Sequence, residues 1–329
     1  MKHFLLLSGI LFILFGCSTF PQNSSILKKE RTIDLPNVEG RIDHMSIDLK
    51  SERLFIAALA NGSIEVVDLN SGKIIHSITG LEEPQGVLYY PKKNLLFVAS
   101  GGDGTCRIYN ASGFKLLNII QLGDDADNIR YDKQRDIIYI GFGSGGIAAI
   151  DPSELKLLYR VDLPGHPESF RIDDSRGLMF VNIPNAGQME AINLEERKVI
   201  QKIDLDVRGN FPMALDTLNH IIFIGSRNPS RIVSFDEISL KKISENNISG
   251  DADDIFYDTA DSLIFISCGS GELDIYKQIT SKKIILKESI RTSPGARTSL
   301  YVPELKKLFI AARRSDRNNA KVIEYSIQH

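Results

Sequence analysis

Three features of the sequence predict an all-β fold, a seven-bladed β-propeller of four-stranded blades whose ring is closed by the N-terminal strand. The first is a period of about 42 residues running from Asp43 to the C-terminus. Aligning the aromatic of each short apolar triplet gives Phe55, Phe97, Tyr139, Phe180, Phe223, Phe265 and Phe309, with steps of 42, 42, 41, 43, 42 and 44 residues. A step of roughly 40–50 residues built from short strands is the sequence mark of a propeller blade. The second feature is the same order of turns and strands inside each unit. The third is a last unit that lacks its outer strand, while a strand-like segment with no unit of its own precedes the first.

The N-terminus reads as an address. Lys2 and His3 open the chain, and Phe4 to Phe15 is apolar, too short to span a membrane and suited to the core of a signal peptide. Leu14-Phe15-Gly16-Cys17 resembles a bacterial lipobox, in which the cysteine is lipidated and becomes the first mature residue. The expected organisation is therefore a signal peptide at 1–16, lipidated Cys17 with a tether at 17–25, and one propeller at 26–329. Ser18 after the cysteine resembles the default outer-membrane sorting pattern. The expected location is exported and lipid-anchored, on the periplasmic face of the outer membrane.

Within the ring each unit opens with a turn. Asp48, Asp132, Asp173, Asp216 or Asp258 stands seven residues before the anchor, and Tyr90 and Val302 replace it in two units. Asp suits this place because its side chain can bond the backbone two residues on. The anchor triplet begins a hydrophobic strand such as Leu54-Phe55-Ile56-Ala57. Seven residues after the anchor comes Gly62, Gly104, Gly146 or Gly187, expected to supply the left-handed backbone of a hairpin. A third strand follows, such as Ile64-Glu65-Val66-Val67, and then a polar turn and an outer strand, Ile74 to Ile78. After Phe309 the chain has room only for the middle strands. The segment 28–36 resembles the outer strands elsewhere and is expected to complete the seventh blade, removing the two open edges.

Composition narrows the function. The chain has 39 basic and 42 acidic residues. The signs are mixed and no basic stripe appears, so no nucleic-acid partner is expected. Cys106 and Cys268 fall in different blades, too far apart to be expected to bridge, and read as buried apolar residues. There is no Cys-x-x-Cys or His-x-x-x-His metal spacing and no Gly-x-Ser-x-Gly nucleophile elbow. Gly101-Gly102-Asp103-Gly104 and Gly143-Ser144-Gly145-Gly146 look like phosphate loops, but a phosphate cradle needs a helix after it, and here strands flank both.

The loops at the mouth of the central channel carry the functional signal. Twelve residues before the anchors stand Asp43, Gln85, Asp127, Glu168, Phe211, Asp253 and Arg297. The next position holds His44, Asn128 and Asp254 among others, and two positions earlier come Arg41, Glu83, Asp125, His166 and Asp251. Ring symmetry aims equivalent positions at one axis. The expected binding set is Arg41, Asp43, His44, Gln85, Asp127, Asn128, Glu168, Asp253, Asp254 and Arg297. Carboxylates gathered on one axis repel and lose hydration, so some must be neutralised. Three routes are open. A hard cation such as calcium could take oxygens from Asp127, Glu168 and Asp253. Arg41 and Arg297 could pair with the acids. A cationic or polyhydroxylated ligand could be the partner. The other reading of these loops is that they are turns in which Asp caps backbone N–H groups.

Over nearly the whole mature chain the sequence resembles the bacterial YVTN-type, YncE-like propeller proteins. The resemblance is carried by Gly40-Arg41-Ile42-Asp43-His44, Glu83-Pro84-Gln85-Gly86-Val87, Gly123-Asp124-Asp125-Ala126-Asp127-Asn128, Gly165-His166-Pro167-Glu168-Ser169-Phe170, Gly250-Asp251-Ala252-Asp253-Asp254 and Pro294-Gly295-Ala296-Arg297-Thr298-Ser299. It implies an exported seven-bladed propeller and little about chemistry. The chain has no Trp, unlike quinoprotein dehydrogenases, so a pyrroloquinoline quinone (PQQ) cofactor is not expected. Two functions are expected as alternatives. One is a monomeric lipoprotein scaffold that binds a small molecule, peptide or protein at the channel mouth without catalysis. The other is a calcium-dependent hydrolase resembling the gluconolactonase group, in which the metal polarises a lactone and activates water.

Overall fold

The computed structural model describes residues 25–316 and 318–328. The signal peptide, Cys17 and most of the tether lie outside the described residues. All strands among the described residues belong to seven four-stranded sheets. The helical turns there are two short ones, Leu59–Asn61 and Pro303–Leu305.

The innermost strands are Met45–Asp48, Pro84–Tyr90, Ile129–Asp132, Phe170–Asp173, Met213–Asp216, Ala252–Asp258 and Thr298–Val302. Each lies beside the inner strand of the next blade, and the seventh returns to the first. The middle strands are covered on both faces by neighbouring blades, which is why they read as unbroken apolar runs; in Arg53–Ala58 all but the first residue are buried. Outer strands keep one wet face, and in Lys73–Thr79 only Ile78 is buried.

The seven aromatic anchors are all 0 or 1% exposed. Each sits in its own apolar cluster between its blade and an adjacent one. Phe55, for example, shares a cluster with Val87, Leu96 and Val98 of the second blade. The period in the sequence is thus the period of the interblade cores. Cys106 and Cys268 are free and buried in two different clusters, and burial raises both thiols.

The turn aspartates bond as their residue type dictates. Asp48 Oδ1 accepts from Lys50 N–H at 3.1 Å and Ser51 N–H at 3.2 Å. Asp132 Oδ1 accepts from the Gln134 and Arg135 amides at 2.9 and 2.8 Å. The second oxygen finds a local donor at Asp48, Asp132 and Asp216, such as Arg53 on Asp48 at 2.7 Å. Asp173 differs: its neighbour is the buried carboxyl of Glu237, and Arg176 donates to Glu237 Oε1 at 3.1 Å. One glycine assignment changes. Gly62, Gly104 and Gly187 have φ of 64, 61 and 65°, but Gly146 opens the third strand of its blade, Gly146–Asp151. Phe142 pairs with Gly146, so the turn falls on the residues between them, where Gly143 has φ 65° and Gly145 φ 159°.

The N-terminal strand Leu27–Leu35 pairs antiparallel with Ala320–Ile327, from Leu27 opposite Ile327 to Leu35 opposite Ala320, and completes the seventh blade. Leu27, Ile33 and Leu35 are buried. Buried Glu324 is held from both sides, by Arg31 at 2.6 Å and Lys307 at 2.5 Å.

Two predictions follow from the ring. Deleting residues 26–36 removes three buried aliphatic side chains worth together roughly 5–9 kcal/mol, about the whole stability margin of a domain. The deletion should abolish a cooperative melting transition, and an unchanged Tm would refute the closure. At the Asp173–Glu237 pair, burial and then the Asp173 carboxylate push Glu237 up to about 7 from its ordinary 4.5. The native state therefore holds a proton that the unfolded chain releases, and this contribution to stability falls as pH rises from about 4.5 to about 7. Glu237→Gln should raise Tm relative to wild type by on the order of 2 °C more at pH 8 than at pH 5; a difference independent of pH would count against the shared proton.

Candidate functional site at the channel mouth

The backbone of the mouth is pinned by one repeated hydrogen bond. The amides of Asp43, Asp127 and Glu168 donate to the carbonyls of Ala57, Gly141 and Asn182 at 2.7, 2.9 and 3.0 Å. Each acceptor lies on the second strand of the same blade, so the mouth residue is fixed where the inner strand begins. Blades are tied across the mouth as well. Thr298 Oγ1 donates to the Ile42 carbonyl at 3.1 Å, and Asn182 Nδ2 to the Pro212 carbonyl at 3.2 Å.

The structure brings all ten expected residues together in two layers. An outer basin of about 480 Å³ is lined by Arg41, Gln85, Asp127, Glu168, Asp253 and Arg297, with Asp125, His166, Phe211 and Arg227 among them. Below it the channel narrows to a neck formed by Asp43, His44, Asp127, Asn128, Asp253 and Asp254, with Arg41 and Glu168 at its edge. Among the described residues, Asp254 alone of these carboxylates accepts a backbone N–H, from Ser299 at 2.7 Å. The capping reading therefore applies to that residue and not to Asp43, Asp127, Glu168 or Asp253.

Neutralisation is internal and comes in two groups. On one side Arg41 Nη2 lies 2.7 Å from Asp43 Oδ2. Arg297 bonds both Asp251, at 3.0 Å, and Asp253, at 3.0 Å. Arg227 bridges the same two acids and stacks on Phe211, 3.7 Å from its ring centre. On the other side Asp127 stands between two imidazoles, with His44 Nε2 3.5 Å from Oδ1 and His166 Nε2 3.9 Å from Oδ2. Gln85 Nε2 donates to Asp125 at 2.8 Å.

These contacts set the charge states. Burial opposes a charge on His44, but Asp127 and the nearby Asp43 and Asp254 outweigh it and raise the group to about 9. His166 is likewise raised to about 9 against burial, by Asp127, the Gly143 carbonyl and Asp125. The two imidazoles hold Asp127 well below the usual carboxylate range in spite of its burial. Burial, reinforced by Asp127, pushes Glu168 up to about 8, so it carries a proton at neutral pH.

Asp127, His166 and Glu168 each offer a ligand atom, all within 4.8 Å of one another. His166 Nδ1 donates to the Gly143 carbonyl at 2.8 Å, which leaves Nε2 facing Asp127. The set differs from the all-oxygen one expected for calcium, because Asp253 is taken up by Arg227 and Arg297 and an imidazole takes its place. One imidazole with two carboxylates suits a borderline divalent ion such as zinc better than calcium.

Sequence reasoning missed three arginines. Arg227 ends the second strand of blade five, four residues after its anchor, where Leu59, Gly101, Gly143, Pro184 and Gly269 stand in five other units and Arg313 in the last. Arg130 and Arg171 lie three residues beyond the mouth position, on the register where other units carry Ser46, Leu88, Ala214, Phe256 and Leu300. For Arg130 and Arg171 a cation among small or apolar equivalents was the available signal.

Because both raised imidazoles depend on Asp127, their contribution to stability is full below about 6.5 and is lost as pH rises through about 9. Asp127→Asn should bring both histidine titrations, followed by NMR, down by at least one unit and lower Tm at pH 7. Unmoved titrations would show that Asp127 does not hold them.

No family model matches the chain, and no curated protein matches it. Many solved structures are similar in shape, and two illustrate the likeness. A chain of Kuenenia stuttgartiensis hydrazine synthase has a TM-score of 0.74 at 13% identity, covering 94% of this chain and 100% of that one. A chain of a mitotic checkpoint complex has a TM-score of 0.78 at 12% identity, covering 98% of this chain and 100% of that one. At such identities the likeness is one of fold alone: the chain is a seven-bladed β-propeller.

Proposed function

We propose that this propeller is a non-catalytic binding scaffold that takes a polar, donor-rich ligand, cationic or polyhydroxylated, at its channel mouth. One observation carries the reading. In a neck where most ionised groups are paired within the protein, Asn128 Oδ1 is buried with no hydrogen-bond partner, and Asp127 Oδ1 has only the His44 ring at 3.5 Å. Buried acceptors left open are costly, on the order of 1–3 kcal/mol each, and a ligand donor reaching through the basin would satisfy them. Phe211 with Arg227 on it provides a flat wall for the body of that ligand.

The sequence motifs support placing the chain with the YVTN-type, YncE-like propellers, and the lipobox supports an exported protein anchored through Cys17. Both are proposals of the same reading. A second reading, metal-dependent hydrolysis, is favoured by the Asp127–His166–Glu168 cluster, which would hold the ion and expose it to the basin.

Isothermal titration with myo-inositol, spermidine and choline should give saturable binding to at least one probe. Asn128→Leu should weaken it at least ten-fold while the protein stays folded. Absence of any saturable probe would refute the binding reading. Elemental analysis separates the second reading: a stoichiometric metal lost in His166→Ala, together with lactone hydrolysis, would establish the hydrolase instead. For export, Cys17→Ala should release the protein from membranes or block its processing; a processed mutant still in the membrane fraction would overturn the anchor.

A further inference from the structure

Below the neck the channel widens again into a second chamber of about 320 Å³, reached past His44 and Asp254. Its wall is divided. Arg130 and Arg171, on the adjacent inner strands of blades three and four, face Leu88, Phe256 and Leu300 on the others. Both guanidinium groups are enclosed by the ring yet remain partly accessible from the channel.

Neither cation forms an ion pair, although the charge of Asp254 at the upper end of the chamber favours both. Among the described residues no carboxylate oxygen lies within 4.0 Å of either guanidinium. Their hydrogen bonds all go to neutral acceptors. Arg130 Nη1 donates to the Ile129 carbonyl at 2.8 Å. Arg171 Nη1 donates to Ser169 Oγ and the Phe170 carbonyl, each at 3.0 Å, and its Nη2 reaches the Ile255 carbonyl at 3.5 Å. Asp254, the acid at the upper end, lies beyond ion-pair distance and already accepts the Ser299 amide. Burial, and then the charge of Arg130, depress Arg171 well below its ordinary range. Two like charges held in a confined chamber without an anion are unfavourable. The mouth above shows the contrast, since there every arginine has a carboxylate.

We propose that this lower chamber is a separate binding site for an organic anion: a carboxylate with a short apolar body, its oxygens held by Arg130 and Arg171 and its body against Leu88, Phe256 and Leu300. The planar fork of arginine matches a carboxylate in two parallel hydrogen bonds. The chamber lies at the small end of ligand cavities, roughly 300–1,000 Å³, and a mostly apolar wall with a few fixed polar groups is the usual form of such a site. The site is independent of the polar ligand proposed for the mouth and stands if that reading fails.

Calorimetric titration of octanoate into the wild-type protein should give saturable binding. Inorganic phosphate, which offers the anion without the body, should bind at least ten-fold more weakly. Arg130→Gln and Arg171→Gln should each weaken octanoate at least ten-fold without lowering Tm. Leu88→Phe fills the chamber while leaving both arginines in place, and should also abolish binding. The proposal is overturned if wild type shows no saturable octanoate heat, if phosphate binds as tightly, or if octanoate affinity survives either the arginine changes or the filled chamber.

Discussion

Each of the seven apolar cores lies between two blades rather than inside one, so no blade can bury its aromatic anchor alone. Phe309 is enclosed only because Leu54 and Ile56 of the first blade close over the same cluster as Ile33 and Leu35 of the N-terminal strand. The pairing of Leu27–Leu35 with Ala320–Ile327 joins sequence ends to make the last of these interfaces. It converts a row of repeats, which could slide or splay, into a ring of fixed radius. Everything at the axis inherits its position from that closure.

A fixed radius has an electrostatic consequence. The loops that lead into the inner strands deliver Asp43, Asp127, Glu168 and Asp253 to one small neck, and the strand geometry leaves these groups little room to move apart. The protein answers with cations from unrelated registers: Arg41 and Arg297 from the mouth loops, His44 and His166 from the loops beside Asp127, and Arg227 from the end of a second strand. The mouth is therefore a patchwork of paired charges with a few open acceptors, while the chamber beneath it is the reverse, with two arginines that no carboxylate pairs and Asp254 only at its upper end. The channel is chemically polarised along its axis.

Much of this was legible in the sequence for a simple reason. A repeat fixes which positions are equivalent, and the ring sends equivalent positions to equivalent places, so the ten mouth residues could be named from spacing alone. The register also predicted the turn aspartates, whose bonding is local. What spacing does not show is how far a side chain reaches. Asp253 and His166 stand on neighbouring registers, yet Asp253 turns to Arg227 and Arg297 while His166 turns to Asp127. Arg130 and Arg171 were missed because the argument stopped at the first layer, although the same periodicity continues inward. Gly146 was misplaced because the hairpin of blade three turns on the residues before it.

The direction of the closing strand has a bearing on how the molecule would face its surroundings. Leu35 pairs with Ala320 at the end of the blade that carries Thr298, beside the mouth, whereas Leu27 pairs with Ile327 at the end that carries Val302. The chain thus enters the ring on the rim of the face opposite the mouth. The basin lies on the face opposite this point of entry, and the lower chamber on the side nearer to it. A segment continuing from Leu27 would therefore leave the ring without passing the basin, so the mouth is free of the chain that leads into the closing strand.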